Sequence, residues 1–174
     1  MSADLLATVM KTLLRELAQG SPDTQNRTYV LNRGDTGLLA SLERLSAEAA
    51  SRSLGGASIA AHVDHLRYGF SILNRWAAGT PLRWKDIDWT ASWKKNAVSE
   101  AEWRALRDDL RDEVEAWIEA LGTPRETNEV EAGWMAGSVV HLGYHLGAIR
   151  QIDRAARGPT AEDEARAEAA LRAR

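Results

Sequence analysis

The stretch from Gly133 to Arg157, GWMAGSVVHLGYHLGAIRQIDRAAR, determines how the rest of the chain is interpreted. Its histidines, His141 and His145, are four residues apart, so on a helix they lie on one face, one turn from each other. The other two histidines of the protein, at 62 and 65, form a second close pair in the segment ASIAAHVDHLRYGF. Because all four imidazoles fall on two predicted helices, the sequence indicates a metal site.

The composition is that of a globular protein and excludes several classes of function. The chain has 174 residues, 44% hydrophobic and 27% charged, with a net charge of −3, which fits a single domain over residues 1–174. No segment concentrates Lys and Arg without acidic residues, so we expect no nucleic-acid partner. The absence of Cys excludes disulfides, a cysteine nucleophile and thiolate ligands. Neither a signal peptide nor a run of ~20 apolar residues is present, so we expect a cytoplasmic protein that does not bind membranes.

Apolar residues recur at helical spacing along the whole chain and predict an all-α fold. The predicted helices, in chain order, are 3–19, 35–45, 58–78, 99–121, the His141 helix ending at Gly158-Pro159, and a short charged helix from Thr160. Residues 46–56 are predicted to be a turn. The four longer helices favour a bundle, in which helix 3–19 is either a fifth element or the first half of a broken one.

The helix of His141 and His145 is apolar nearly all round, so we expect it to be buried. A buried imidazole without a partner costs about 1–3 kcal/mol. A metal bound by both side chains, with a third ligand from another helix, would satisfy them together; the alternative is a solvated pair. Three neutral imidazoles suit Zn, Ni or Fe(II) and leave coordination positions open, as in catalytic sites. His62, taken alone, is more typical of a core histidine.

The segment 82–98 is a long loop with three indoles, Trp84, Trp89 and Trp93. A structureless loop of this length is uncommon unless it has a function. These indoles either fix the loop to the bundle or, together with Tyr144, form the wall of a pocket for a small-molecule substrate.

Three glycines lie within the His141 helix, at 137, 143 and 147, and each costs about 1 kcal/mol relative to Ala. Gly143 and Gly147 share a face, where close approach of another helix is favoured over room for a ligand. The small residues Ala136, Gly143 and Gly147, together with exposed aromatic surface, predict an interaction face and a homodimer.

Two segments in fixed order, SIAAHVDHL and HLGYHLGAIRQI, are joined by a Trp-rich loop and a third helix of matching length. With them, residues 36–157 resemble the DinB/YfiT-like superfamily. The resemblance implies a four-helix bundle, here with an extra N-terminal helix and a short C-terminal helix. It also implies one divalent metal held by three histidines, which by position are His65, His141 and His145. His62, one turn before His65, is an extra ligand or a support for the ligands, or it replaces His65 as the ligand from this helix, for which His65 is ranked first.

The resemblance further implies chemistry with a low-molecular-weight thiol. Relatives include S-transferases that use glutathione, bacillithiol or mycothiol, and homodimers are common among them. A metal with open positions lowers the pKa of a bound thiol, which can then attack a small electrophile. If water binds the metal in place of the thiol, the protein is a metal-dependent hydrolase. A third alternative is a non-enzymatic protein that sequesters a small molecule in the same pocket. The sequence therefore leaves open whether the chain is an enzyme.

Overall fold

Four long helices make up nearly half of the chain in the computed structural model, which describes residues 3–21, 27–123 and 125–172. In chain order the helices are α1 (Ala3–Gln19), α2 (Gly37–Glu43), α3 (Ala47–Ser51), α4 (Ile59–Ala77), α5 (Glu100–Leu121), α6 (Glu129–Ile152) and α7 (Ala161–Arg172), with 3₁₀ turns at Trp84–Asp86, Ala91–Trp93 and Arg154–Ala156. The described residues contain no strand, which confirms the all-α prediction. None of the helices in these ranges is long and apolar enough to cross a bilayer.

Side-chain caps fix the starts of the two central helices where the sequence placed them. The Ser58 hydroxyl accepts a hydrogen bond from the backbone N–H of Ala61 at 3.2 Å, at the start of α4. Ser99 and Glu102 form a reciprocal capping box at the start of α5. Both caps occupy backbone N–H groups that have no partner within the helix, so the two starts are determined locally.

The boundaries of α6 differ from the prediction at the C-terminal end. The helix opens with a second capping box, between Asn128 and Glu131. It ends at Ile152, six residues before Gly158. Asp153 adopts an extended conformation there, and its side chain caps the 3₁₀ turn that follows. The chain therefore leaves the helix axis well before the Gly-Pro pair that was predicted to end it.

Helix α1 is one of the four walls of the bundle, not an addition to it. It packs against α2, α5 and α6, and its residues Leu14, Leu17 and Ala18 belong to the common core. Leu17 comes within 3.6 Å of the position that a Cβ on Gly143 would take. The bundle thus consists of α1, α4, α5 and α6. The predicted extra helix is its first member, and α2 and α3 are short segments between the first two long helices.

The predicted turn after Leu45 contains the short helix α3. Ser46 caps it by accepting from the backbone N–H of Ala49 at 3.2 Å. The carboxylate of Glu100, at the start of α5, accepts from the backbone N–H of Ala47 at 2.9 Å. A contact from a distant part of the chain thus stabilises a helix that its own sequence specifies only weakly.

Candidate metal centre

The four histidines meet where α4 packs against α6. The α4 helix supplies His62 and His65, and α6 supplies His141 and His145. Nε2 of His141 lies 3.1 Å from Nε2 of His65 and 2.9 Å from Nε2 of His145. The ligand atoms of these three residues all lie within 4.8 Å of one another, so the three could hold one metal ion.

The three imidazoles are better placed to bind a cation than to hydrogen-bond to one another. A neutral imidazole has one N–H donor and one acceptor nitrogen. Nε2 of His141 faces the Nε2 atoms of both His65 and His145, and a single hydrogen cannot make two good bonds to them. A metal ion accepts all three lone pairs at once, which makes convergent neutral nitrogens a typical ligand set for zinc and related metals.

The surroundings keep these rings neutral. Burial, followed by the nearby His141 and His62, lowers the pKa of His65 to about 4. Burial and the other three histidines lower the pKa of His145 to about 3. Burial also lowers the pKa of His62 and that of His141. A metal arriving near neutral pH therefore does not have to displace protons from these nitrogens.

Hydrogen bonds on the outer ring nitrogens orient two of the three candidate ligands. Nδ1 of His65 lies 2.8 Å from Oγ of Ser92, whose hydroxyl donates to the carbonyl of Trp89 at 2.7 Å. Because the hydroxyl proton is used there, the Ser92 oxygen accepts from His65 Nδ1–H, and Nε2 keeps its lone pair. Nδ1 of His145 lies 2.8 Å from Nδ1 of His62. With Nε2 of His145 free to bind metal, its Nδ1–H donates to His62.

His62 lies behind the converging nitrogens rather than among them. Its Nδ1 contacts His145, and its ring stands edge-on to Trp93 with the centroids 5.4 Å apart. The sequence left both His62 and His65 as candidates for the third ligand. The structure brings His65 to the other two and gives His62 a position from which it can orient one of them.

The predicted aromatic residues occupy three different environments. Trp93 stacks on the ring of His65 with centroids 4.2 Å apart, and Trp89 lies between His65 and Tyr68, 5.6 and 5.7 Å from their ring centroids. Tyr144 stands edge-on to His145 but is 69% exposed. The side chain of Trp84 lies outside what the structure describes. The loop thus packs over the histidines through Trp89 and Trp93.

A cavity of about 210 Å³ opens beside His141, between α4 and α6. Its lining comes from both helices and the loop: Gly69, Phe70, Ile72, Leu73, Trp89, Gly133, Trp134, Gly137, Ser138 and His141. Of the four residues predicted to wall a pocket, Trp89 lines this one. The cavity places an apolar space directly against one of the three converging imidazoles.

The match to a known family was found for the central part of the chain. Residues 31–149 match the family model of the DinB superfamily. The chain belongs to this superfamily. The resemblance noted in the sequence is thereby confirmed. No match was found in the comparisons with curated proteins or with solved structures.

The matched part of this DinB-superfamily chain begins after α1, which nevertheless supplies one wall of the bundle. Sequence reasoning missed Gly133, Trp134 and Gly137 in the cavity. A signal for them was present, because Gly133 and Gly137 precede His141 and His145 at intervals of four. These four positions form one stripe on α6. Glycines on the same stripe of α6 as the candidate ligands leave room for a cavity beside the metal centre.

The prediction that α6 is buried all round was wrong. Val140 is 71% exposed and Tyr144 69% exposed. Gly143 faces Leu17 of α1, in agreement with close helix packing, whereas a Cβ on Gly147 would meet nothing within 4 Å. One face of α6 packs on α1 and another on α4, and within the described residues the face between them carries apolar side chains that the bundle leaves exposed.

Proposed function

We propose that this DinB-superfamily chain is a metal-dependent enzyme that joins an external low-molecular-weight thiol to a small electrophile. The observation that carries the proposal is the convergence of three neutral Nε2 atoms, from His65, His141 and His145, at the edge of an apolar cavity. A metal bound by the imidazoles and a second reactant held in the cavity would thus lie side by side.

The protein's own side chains would hold and orient the site. A divalent cation such as Zn, Ni or Fe bound there would lower the pKa of a thiol and leave positions open for it. Ser92 fixes the ring of His65 and His62 fixes that of His145. Trp93, stacked on His65, keeps water from one side of the centre.

A thiol is favoured over water as the nucleophile because the described lining of the cavity offers no carboxylate that could act as a general base. The described residues that line it include no carboxylate. On α4, the buried Asp64 accepts two hydrogen bonds from Arg67, at 3.0 and 2.8 Å, and is thereby held as an ion pair. A thiol, with an ordinary pKa of about 8.5, needs less help to ionise than water does.

The sulfur must come from outside, because the chain contains no Cys. In the proposed reaction the thiol loses its proton to solvent water, and the sulfur lone pair forms a bond to the electrophilic carbon. The leaving group departs with the electron pair of the bond that breaks. Glutathione, bacillithiol and mycothiol all supply such a thiol.

The test is thiol consumption by protein purified without a His tag. Metal-loaded protein should consume thiol in the presence of an electrophile panel, and chelator-treated protein should not. Hydrolysis of an ester panel without thiol loss would instead support a metal-dependent hydrolase. Tight binding of an electrophile without any turnover would support a sequestration protein. Either result would overturn the transferase proposal.

The homodimer predicted from the sequence stays a prediction. The exposed Val140 and Tyr144, with Ala136 and Gly147 also exposed on α6, provide an apolar surface of the kind that oligomers bury. Gly143 does not contribute to it, since it faces α1. Light scattering at micromolar concentration should give the mass of a dimer, and Val140→Glu should shift it to that of a monomer. A monomer mass for the unmodified protein would contradict the prediction.

A further inference from the structure

The residues that line the cavity beside His141 disfavour a charged ligand. Its lining includes Phe70, Ile72 and Leu73 from α4 and two indoles, those of Trp89 and Trp134. No Asp, Glu, Lys or Arg is among the described residues that line it. Moving a charged group from water into such a space without a partner is strongly unfavourable. The cavity therefore favours an uncharged ligand.

The hydroxyl and the imidazole of the lining are already engaged. The Ser138 hydroxyl donates to the carbonyl of Met135 at 2.7 Å and accepts from Nε1 of Trp117 at 2.8 Å. The imidazole of His141 belongs to the candidate metal centre at the edge of the cavity. A ligand would therefore gain its binding energy from apolar contact, and the polar chemistry would be confined to one end.

Three glycines keep the space open. A Cβ on Gly69 would already lie 3.8 Å from His141 and 3.9 Å from Trp89. A Cβ on Gly133 or Gly137 would meet no atom within 4 Å. Each glycine inside a helix lowers the stability of the helix by about 1 kcal/mol relative to Ala. In α6, Gly133 and Gly137 therefore occur at this cost at positions where a side chain would enter or narrow the cavity.

We propose that this cavity binds a flat, uncharged aromatic group of one or two rings, which is the part of the substrate that carries the electrophilic carbon. The volume of about 210 Å³ exceeds that of an apolar cavity of about 150 Å³ that accepts benzene. Indole walls offer the stacking and edge contacts that aromatic rings prefer. This assignment rests on the proposed function for the position of the reacting atom beside His141, but ring binding itself does not require the metal.

The experiment is calorimetric titration of chelator-treated protein with 2-naphthylmethanol, and with 2-naphthoate, which has the same rings and a negative charge. The neutral compound should bind, and the anion should bind at least tenfold more weakly. Gly137→Leu should weaken binding of the neutral compound at least tenfold by filling the cavity. Gly147→Leu is the matched control, because it adds the same side chain to the same helix outside the cavity, and it should change the affinity less than twofold.

Leu has a higher helix propensity than Gly, and the added Cβ at either position has no neighbouring atom within 4 Å. Both variants should therefore fold, and circular dichroism measures their helix content. Gly133→Leu is a second variant that should act like Gly137→Leu. The assignment is overturned if 2-naphthylmethanol does not bind or if 2-naphthoate binds with the same affinity. It is also overturned if Gly137→Leu and Gly147→Leu change the affinity for 2-naphthylmethanol equally. Because the titration uses metal-free protein, its outcome is independent of the thiol assay, and either proposal can fail without the other.

Discussion

Two buried polar clusters of this bundle resemble each other in burial but differ in charge. At one, Asp35 accepts hydrogen bonds from Arg150 at 2.8 Å and from the backbone N–H of Gly37 at 2.9 Å, so a negative group faces positive ones. At the other, His65, His141 and His145 turn three acceptor nitrogens toward one point. The first cluster is electrically complementary within the chain, and the second becomes so when a cation is added.

This difference in charge indicates that the Asp35 cluster stabilises the fold and that the histidine cluster binds a ligand. A buried ion pair whose partners are both present stabilises packing and needs no ligand. Like groups that face each other in a buried site are unfavourable unless something binds between them. The polar groups of the first cluster therefore explain how the segment just before α2 is joined to α6. Those of the second remain unexplained by the fold and indicate a binding site.

The largest effect is expected from removing a candidate ligand. His141→Ala or His145→Ala should reduce the bound metal to near zero, because two remaining imidazoles hold a divalent cation poorly. Elemental analysis of protein prepared without a His tag measures this directly. His62→Ala is the matched control and should retain one metal per chain at saturating concentration. If His62→Ala loses the metal while His65→Ala keeps it, the assignment of the third ligand is wrong.

Breaking the ion pair should affect stability and leave the metal in place. Asp35→Ala leaves the charge of Arg150 buried without its partner and should cost about 3–5 kcal/mol of unfolding free energy, measured by urea denaturation. Glu119→Ala is the control, since Glu119 is exposed where it pairs with Lys11 and Arg15, and it should cost less than about 1 kcal/mol. Loss of metal binding in folded Asp35→Ala protein would contradict the separation of the two clusters.

The histidine cluster should also make the metal-free protein sensitive to acid. The pKa of His65, about 4, and that of His145, about 3, lie below the ordinary value of 6.5. Between pH 6.5 and 4 the unfolded state therefore binds more protons, and the free energy of unfolding must fall as pH falls, by several kcal/mol for the two histidines together. Urea denaturation across this range measures the loss. His145→Gln should show a shallower dependence, and an identical slope would contradict the neutral cluster.

The smallest effect is expected from the residue that only orients a ligand. His62→Ala removes the hydrogen-bond partner of His145 Nδ1 and should weaken metal binding by about 10–100-fold, as is typical for such supports. Ser92→Ala, which removes the partner of His65, should have an effect of similar size. Competition with a chelator of known affinity gives both values. Unchanged affinity in both variants would show that the outer hydrogen bonds do not position the ligands.

The sequence alone determined the four long helices and the pairing of histidines within each of two of them. Caps such as Ser58 and Ser99 act on backbone groups three residues away, and the His141–His145 spacing puts both rings on one face of any α-helix. These signals are local, so they are readable without knowing how the helices pack. The family match over residues 31–149 spans both pairs of histidines.

Only the tertiary structure decided which parts of the chain meet. Helix α3 depends on Glu100, 53 residues after Ala47, and the position of α1 in the bundle depends on its contacts with α5 and α6. The register of α4 against α6 brings His65 to the converging nitrogens of His141 and His145 and places His62 behind His145. That register also leaves the cavity beside His141. It is set by side chains packing across two helices, an interaction that no spacing within one helix encodes.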